Sequence, residues 1–226
     1  MLTAIRRRLS IVTIAGLAPV LPLRSLHAQA GTAPPDSGSF AVLHAGDTVA
    51  VEWFARWPGE LEGRLILRGA SGERLNYHAV VRPDAGTPLV EVSAWRAADP
   101  DRAPPLERTR LIFRHDSVAI DQVRRTGLET RVLPTAPGAL PYLNLSFALL
   151  EQATRRARAG AGDSLAVPFF NLGGGQTATG LVRRVGADSM TIRIGAVEFR
   201  LAVDAQGRIV GGAIPAQDVR VIRHPG

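Results

Sequence analysis

The sequence predicts a mainly β protein: an antiparallel curved sheet or open barrel with one packed α-helix at about 145–159. Three observations predict it. Apolar residues recur at every second position through most of the chain after residue 47. Short turn sequences punctuate those runs at hairpin spacing. The period becomes helical once, where Leu143, Phe147, Leu150, Thr154 and Ala157 recur.

The strands follow in order. Val49, Val51, Trp53 and Trp57 point to one face, which the alternation assigns to the core, and Glu52 and Arg56 point to the wet face. Pro58-Gly59 turns the chain. Leu61, Leu65 and Leu67 then alternate with Glu62, Arg64 and Arg68, and Ala70-Ser71-Gly72 turns it again. Leu75, Tyr77, Ala79 and Val81 oppose Arg74, Asn76, His78 and Arg82. After Pro83-Asp84-Ala85-Gly86, Val90, Val92 and Ala94 oppose Glu91 and Ser93. Residues 97–107 form a polar, Pro-rich connection. Strands are expected at 108–115, 117–124 and 128–133, with a break from Pro134 to Pro141.

The helix has its own signals. Asn144 or Ser146 can cap its start. Glu151 and Arg155 form an i,i+4 pair. Arg155, Arg156 and Arg158 suit the negative end of the dipole, and Gly160 suits the C′ position. Strands are expected again at 164–170, 177–185, 189–194, 196–204, 208–214 and 218–223.

The first 30 residues have the three zones of a cleavable signal peptide: Arg6, Arg7 and Arg8, an apolar run from Leu9 to Leu23, and Ala28-Gln29-Ala30 at the cleavage position. That run is shorter than the roughly 20 residues a membrane-spanning helix needs. No later stretch could span a bilayer as a helix. The chain is therefore expected to be exported, to the periplasm or the extracellular space. Residues 31–39 read as a flexible mature N-terminus. Residues 40–226 read as a single β-rich domain, with sub-units 40–133 and 163–223 joined by the helix as the alternative.

Composition removes several chemistries. There is no Cys, hence no disulfide, thiolate nucleophile or thiolate metal site. All 27 basic residues are Arg, so there is no lysine for a P-loop or a Schiff base. The net charge of +7 overstates basicity. Beyond residue 30 there are 23 Arg against 20 acidic residues, mostly interleaved, which does not point to nucleic acid.

Few motifs suggest chemistry. Gly162-Asp163-Ser164-Leu165 matches the tetrapeptide of GDSL-type esterases, but it follows a helix, opens a strand and lacks a later Asp-x-x-His, so a turn entering a strand is preferred. Gly173-Gly174-Gly175-Gln176-Thr177 reads as a hairpin loop, because a phosphate cradle would need a helix after it. His44, His78, His115 and His224 show no metal-ligand spacing; His78 and His115 could converge only through the fold. No metal and no cofactor is expected.

The layout of signal peptide, 196 remaining residues, many amphipathic strands and one packed helix resembles the lipoprotein-carrier type of periplasmic half-barrel. The stretches Trp57-Pro58-Gly59-Glu60-Leu61-Glu62-Gly63 and Val167-Pro168-Phe169-Phe170-Asn171-Leu172-Gly173-Gly174-Gly175-Gln176-Thr177 look like signatures of an uncharacterised exported bacterial group. The resemblance implies a concave apolar face that holds acyl chains beneath a helix, and it carries over no catalytic residue. The expected function is an exported binding protein for an apolar or amphipathic ligand such as a lipid. The ligand-facing residues are expected to be Trp53, Trp57, Trp95, Phe147, Leu150, Asn171 and Gln176. The alternative is an envelope scaffold whose open sheet edge pairs with a partner protein. A secreted serine hydrolase using Ser164 ranks third.

Overall fold

A computed structural model of the chain describes residues 35–69 and 72–226. The expected signal peptide, and residues 31–34 of the segment read as flexible, lie outside the described residues.

The described chain is fifteen strands, one α-helix and a short 3-10 turn at Pro215–Gln217. The first eight strands are β1 (Asp36–His44), β2 (Asp47–Trp57), β3 (Glu60–Leu67), β4 (Glu73–Val80), β5 (Leu89–Arg96), β6 (Glu107–Phe113), β7 (Ser117–Arg124) and β8 (Gly127–Pro134). A short strand β9 (Leu140–Tyr142) leads into helix α1 (Phe147–Ala159). Then come β10 (Ser164–Asn171), β11 (Thr177–Arg184), β12 (Ser189–Ile194), β13 (Val197–Val203), β14 (Ile209–Ile214) and β15 (Val219–Pro225).

All fifteen strands form one sheet. From β1 it runs outward one way through β2 to β8, and the other way through β15 back to β9. Every neighbouring pair is antiparallel except β9 and β10, which are parallel. The sheet is large and curved, and β8 and β9 do not close it into a barrel. The pairing of β1 with β15, from Gly38 opposite Pro225 to His44 opposite Val219, joins the two runs of strands into a continuous surface.

Helix α1 lies inside that curve. Nine of its thirteen residues are buried, on all sides of the helix rather than along one stripe. Phe147 meets Phe40 of β1 (5.9 Å between centroids) and Phe199 of β13 (6.3 Å). Phe113 of β6 meets Phe170 of β10 edge to face at 5.8 Å, across the interior. Leu61, Leu65, Val90, Leu111 and Ile120 line one side of the interior, and Val167, Val182, Ile192 and Leu201 the other. The interior is thus occupied by one contiguous cluster of buried side chains.

Four expectations need correction. First, β2 has the opposite phase: Ala50, Glu52, Phe54 and Arg56 are buried, whereas Trp53 stands out at 47% exposure. Two charged residues face inward because α1 supplies their partners. Second, Asp36–Ser39, read as flexible, belong to β1, held by β2 and β15. Third, β9 was not expected; it is three residues long and contains Pro141. Fourth, Gly160 caps the helix in an extended conformation (φ −74°, ψ 162°), not the left-handed one that favours glycine.

Candidate functional site: two buried carboxylates and an arginine-lined mouth

Helix α1 is fixed by two glutamates that reach no solvent. Glu52, in the middle of β2, points at the N-terminus of α1. One carboxylate oxygen accepts from the backbone N–H groups of Phe147 (2.8 Å) and Ala148 (2.9 Å). The other accepts from the Ser146 hydroxyl (2.5 Å) and the Tyr77 hydroxyl (2.6 Å). Those helix N–H groups have no partner within the helix, and the positive end of the dipole favours an anion there. Ser146 is the N-cap, and Leu145 makes the left-handed turn (φ 64°) that delivers it.

Tyr77 reaches Glu52 by crossing β3. Its cross-strand partner is Gly63, and a Cβ there would land within the Tyr77 ring. Gly63 is therefore a gap through which Tyr77 lies flat on its way to Glu52. Gly63→Ala should displace the ring, break its bond to Glu52 and destabilise the fold by about 1–3 kcal/mol, measured by urea denaturation. A neutral result would mean that the ring has other room. Burial pushes the Glu52 carboxyl above its ordinary value, and its four donors pull back by less. Burial and the neighbouring Glu52 push the Tyr77 phenol far up.

One turn along the helix, Glu151 gathers three arginines. One oxygen accepts from Arg56 (3.2 Å) and Arg155 Nε (2.8 Å). The other accepts from Arg223 (3.0 Å) and the backbone N–H of Ile209 (2.8 Å). Asp36 bridges Arg155 and Arg223 at 2.7 Å each. The network ties the helix to β1, β2, β14 and β15, so Asp36, Arg56 and Arg223 belong to one assembly though they are far apart in sequence. Thr154 adds a bond to the carbonyl of Gly207 (2.7 Å). Neither glutamate is exposed. A carboxylate sealed among donors cannot meet a substrate, so their role is to position the helix.

The C-terminal end of α1 opens onto a cavity of about 700 Å³. Arg56, Arg82, Arg155 and Arg156 line it, with Asp84 as the one acid in its wall among the described residues. Trp57, Pro58, Val81, Pro83, Ala85 and Ala159 form its apolar walls. Arg155 and Arg56 are engaged with Glu151. Arg156 holds only carbonyls, those of Gly138 (2.7 Å) and Ala85 (3.4 Å), and burial lowers its pKa. Arg82 has no ion pair among the described residues. Arg56 is 8% exposed, and its Nε meets no acceptor.

The seven residues expected to face a ligand are not gathered around one cavity. Trp57 lines the arginine mouth. Trp53 lies on the outer face, in an open groove with Ala55, Arg64 and His78. Trp95, also on the outer face, donates to the carbonyl of Ala103 (2.8 Å) and stacks beneath the Arg74 guanidinium (4.9 Å). Phe147 and Leu150 are core. Asn171 and Gln176 close the β10–β11 hairpin, where the Asn171 N–H donates to the Gln176 carbonyl (2.9 Å). The sequence reading missed Arg56, Arg82, Arg155 and Arg156 as a group, because they come from β2, the β4–β5 turn and α1.

The other candidates are dispersed too. Ser164 is exposed at the start of β10, and neither flanking strand, β9 or β11, carries a histidine. His78 stands between Glu62 and Glu91, whereas His115 lies in the turn between β6 and β7.

Comparison with known proteins shows the fold. No family model and no curated protein matches the chain. A crystal structure of a DUF1089 family protein from Pseudomonas aeruginosa is similar over 72% of this chain and 88% of its own, with a TM-score of 0.54 and 13% identity. A beta-barrel-like protein of domain of unknown function DUF1849 from Brucella abortus is similar over 85% of this chain and 96% of its own, with a TM-score of 0.52 and 9% identity. At such identity the likeness is one of architecture: this chain shares its overall fold with those two proteins, the second of which is described as beta-barrel-like.

Proposed function

We propose that this chain is an exported binding protein, working in the periplasm or outside the cell, for an amphipathic ligand with an anionic head. The observation that carries the reading is the mouth at the end of α1: Arg82 and Arg156, neither in an ion pair among the described residues, stand in its wall with the already paired Arg56 and Arg155, beside Trp57, Val81 and Ala85. Guanidinium forks match carboxylate and phosphate geometry, and the apolar wall suits a hydrocarbon segment. Because the space between helix and sheet is filled, the ligand sits at the rim and not beneath the helix. This departs from a half-barrel carrier that swallows acyl chains.

The test is native mass spectrometry with lipid extraction on protein recovered from a bacterial periplasm. A stoichiometric, acid-headed amphiphile is the expected result, released by raised salt and lost in Arg82→Glu. A clean apo mass, or an amphiphile indifferent to Arg82→Glu, would overturn the reading.

A further inference from the structure

Among the described residues, the outer strand β8 has no strand on its far side. Every residue from Gly127 to Val132 is exposed. β8 folds back on β7 with Arg124 opposite Gly127, a hairpin closed by a two-residue loop. Such a closing pair exchanges both backbone bonds, so alternate residues from 127 onward turn their N–H and C=O groups to β7. The bond from the Thr135 N–H to the Asp116 carbonyl (2.9 Å) keeps that parity. Leu128, Thr130 and Val132 therefore turn their backbone groups outward. Pro134, which has no N–H to offer, ends the outward row.

We infer that this edge joins a second copy of the chain, β8 against β8, antiparallel about a two-fold axis at Thr130. In that register Thr130 meets Thr130 of the second copy, and Leu128 meets Val132 of the second copy twice. All three pairs exchange both backbone bonds. Glu129 falls opposite Arg131 of the second copy, also twice, in the closer pairs between them. The neighbouring registers that keep the outward rows together set Glu129 against Glu129 or Arg131 against Arg131. Charge therefore selects the one centred on Thr130.

The outer face agrees. Val123, Leu128 and Val132 are exposed by 49%, 66% and 60%, and Val123 is the cross-strand partner of Leu128. Pairing two copies would run this apolar row from sheet to sheet. Charges on an edge strand ordinarily repel other strands. Here the two signs lie symmetrically about the centre and make the edge complementary to itself. The opposite outer strand, β9, has three residues and no comparable row. The inference does not depend on what the arginine mouth binds.

The test is sedimentation velocity on the purified protein over a concentration series. A dimer is expected. Arg131→Glu sets like charges opposite each other twice and should weaken the dimer about tenfold or more. Glu129→Arg combined with Arg131→Glu should restore it. Both positions are exposed, so neither change disturbs the core. A monomer throughout, a dimer indifferent to Arg131→Glu, or a double variant that stays monomeric would overturn the inference.

Discussion

Glu151→Ala is expected to be the most damaging single change away from the aromatic core. It removes the common acceptor of Arg56, Arg155, Arg223 and the Ile209 N–H. Arg56 and Arg223 are 8% and 11% exposed, so they cannot turn to water without opening the sheet. Breaking a buried pair from one side costs about 3–5 kcal/mol; here Arg56 loses its only carboxylate among the described residues, while Arg155 and Arg223 keep Asp36. A domain of this kind has about 5–15 kcal/mol in total. The variant should therefore be marginal or unfolded, as measured by urea denaturation followed by circular dichroism. Glu198→Ala supplies the contrast. The Glu198–Arg200 pair is also short, at 2.9 Å, but its members are 43% and 66% exposed. Its loss should cost about 0–1 kcal/mol. Equal effects would mean that Glu151 is better hydrated than its burial indicates.

Glu52→Ala is the second large effect. It leaves two helix N–H groups and two hydroxyls without their acceptor in a dry interior. Unsatisfied buried groups cost about 1–3 kcal/mol each, and the two hydroxyls can partly re-aim, so a loss of about 3–5 kcal/mol is expected. Glu52→Gln separates charge from shape. The native carboxyl titrates above its ordinary value, so the folded state holds this proton more tightly than the unfolded chain does. That contribution is fully present below the ordinary glutamate value and is lost as pH rises through the native one. Glutamine has no proton to lose. The cost of Glu52→Gln should therefore be largest in acid and shrink as pH rises through that window. Parallel stability profiles for wild type and variant would contradict the shift.

Most of the sheet is legible in the sequence because each hairpin announces itself twice, by its alternation and by its turn. The runs at 60–67, 73–80, 107–113 and 189–194 show both signals, and the strands fall there. The phase of β2 was not legible. Val49, Ala50, Val51, Phe54 and Ala55 put apolar residues on both faces, so alternation alone does not set the phase, and Glu52 and Arg56 read as water-facing residues. They instead seek a helix N-terminus and Glu151, some 95 residues away. No local pattern carries that information. β1 was hidden by its Ser- and Gly-rich start, which is a strand only because β2 and β15 flank it.

The candidate site was less legible than the fold. Tryptophans on amphipathic strands suggested a pocket, yet Trp53 and Trp95 cover the outer face. The helix was visible by its period, and Ser146 as a possible cap, but not its enclosure. A polar centre, Glu151-Gln152 followed by Thr154, in a helix whose other buried residues are all apolar, is the trace the sequence does carry. A helix with polar groups on its inward faces must find partners for them.

Native-state hydrogen exchange of the α1 amides tests most directly whether this helix is core pinned by two carboxylates or a lid over a ligand space. If it is core, the amides from Phe147 to Ala157 exchange only through global unfolding, as slowly as those of Leu61, Val90 and Ile192 in the sheet. If helix amides exchange through a lower-energy opening while the strands stay protected, the helix moves as a lid and the pinning by Glu52 and Glu151 is contradicted.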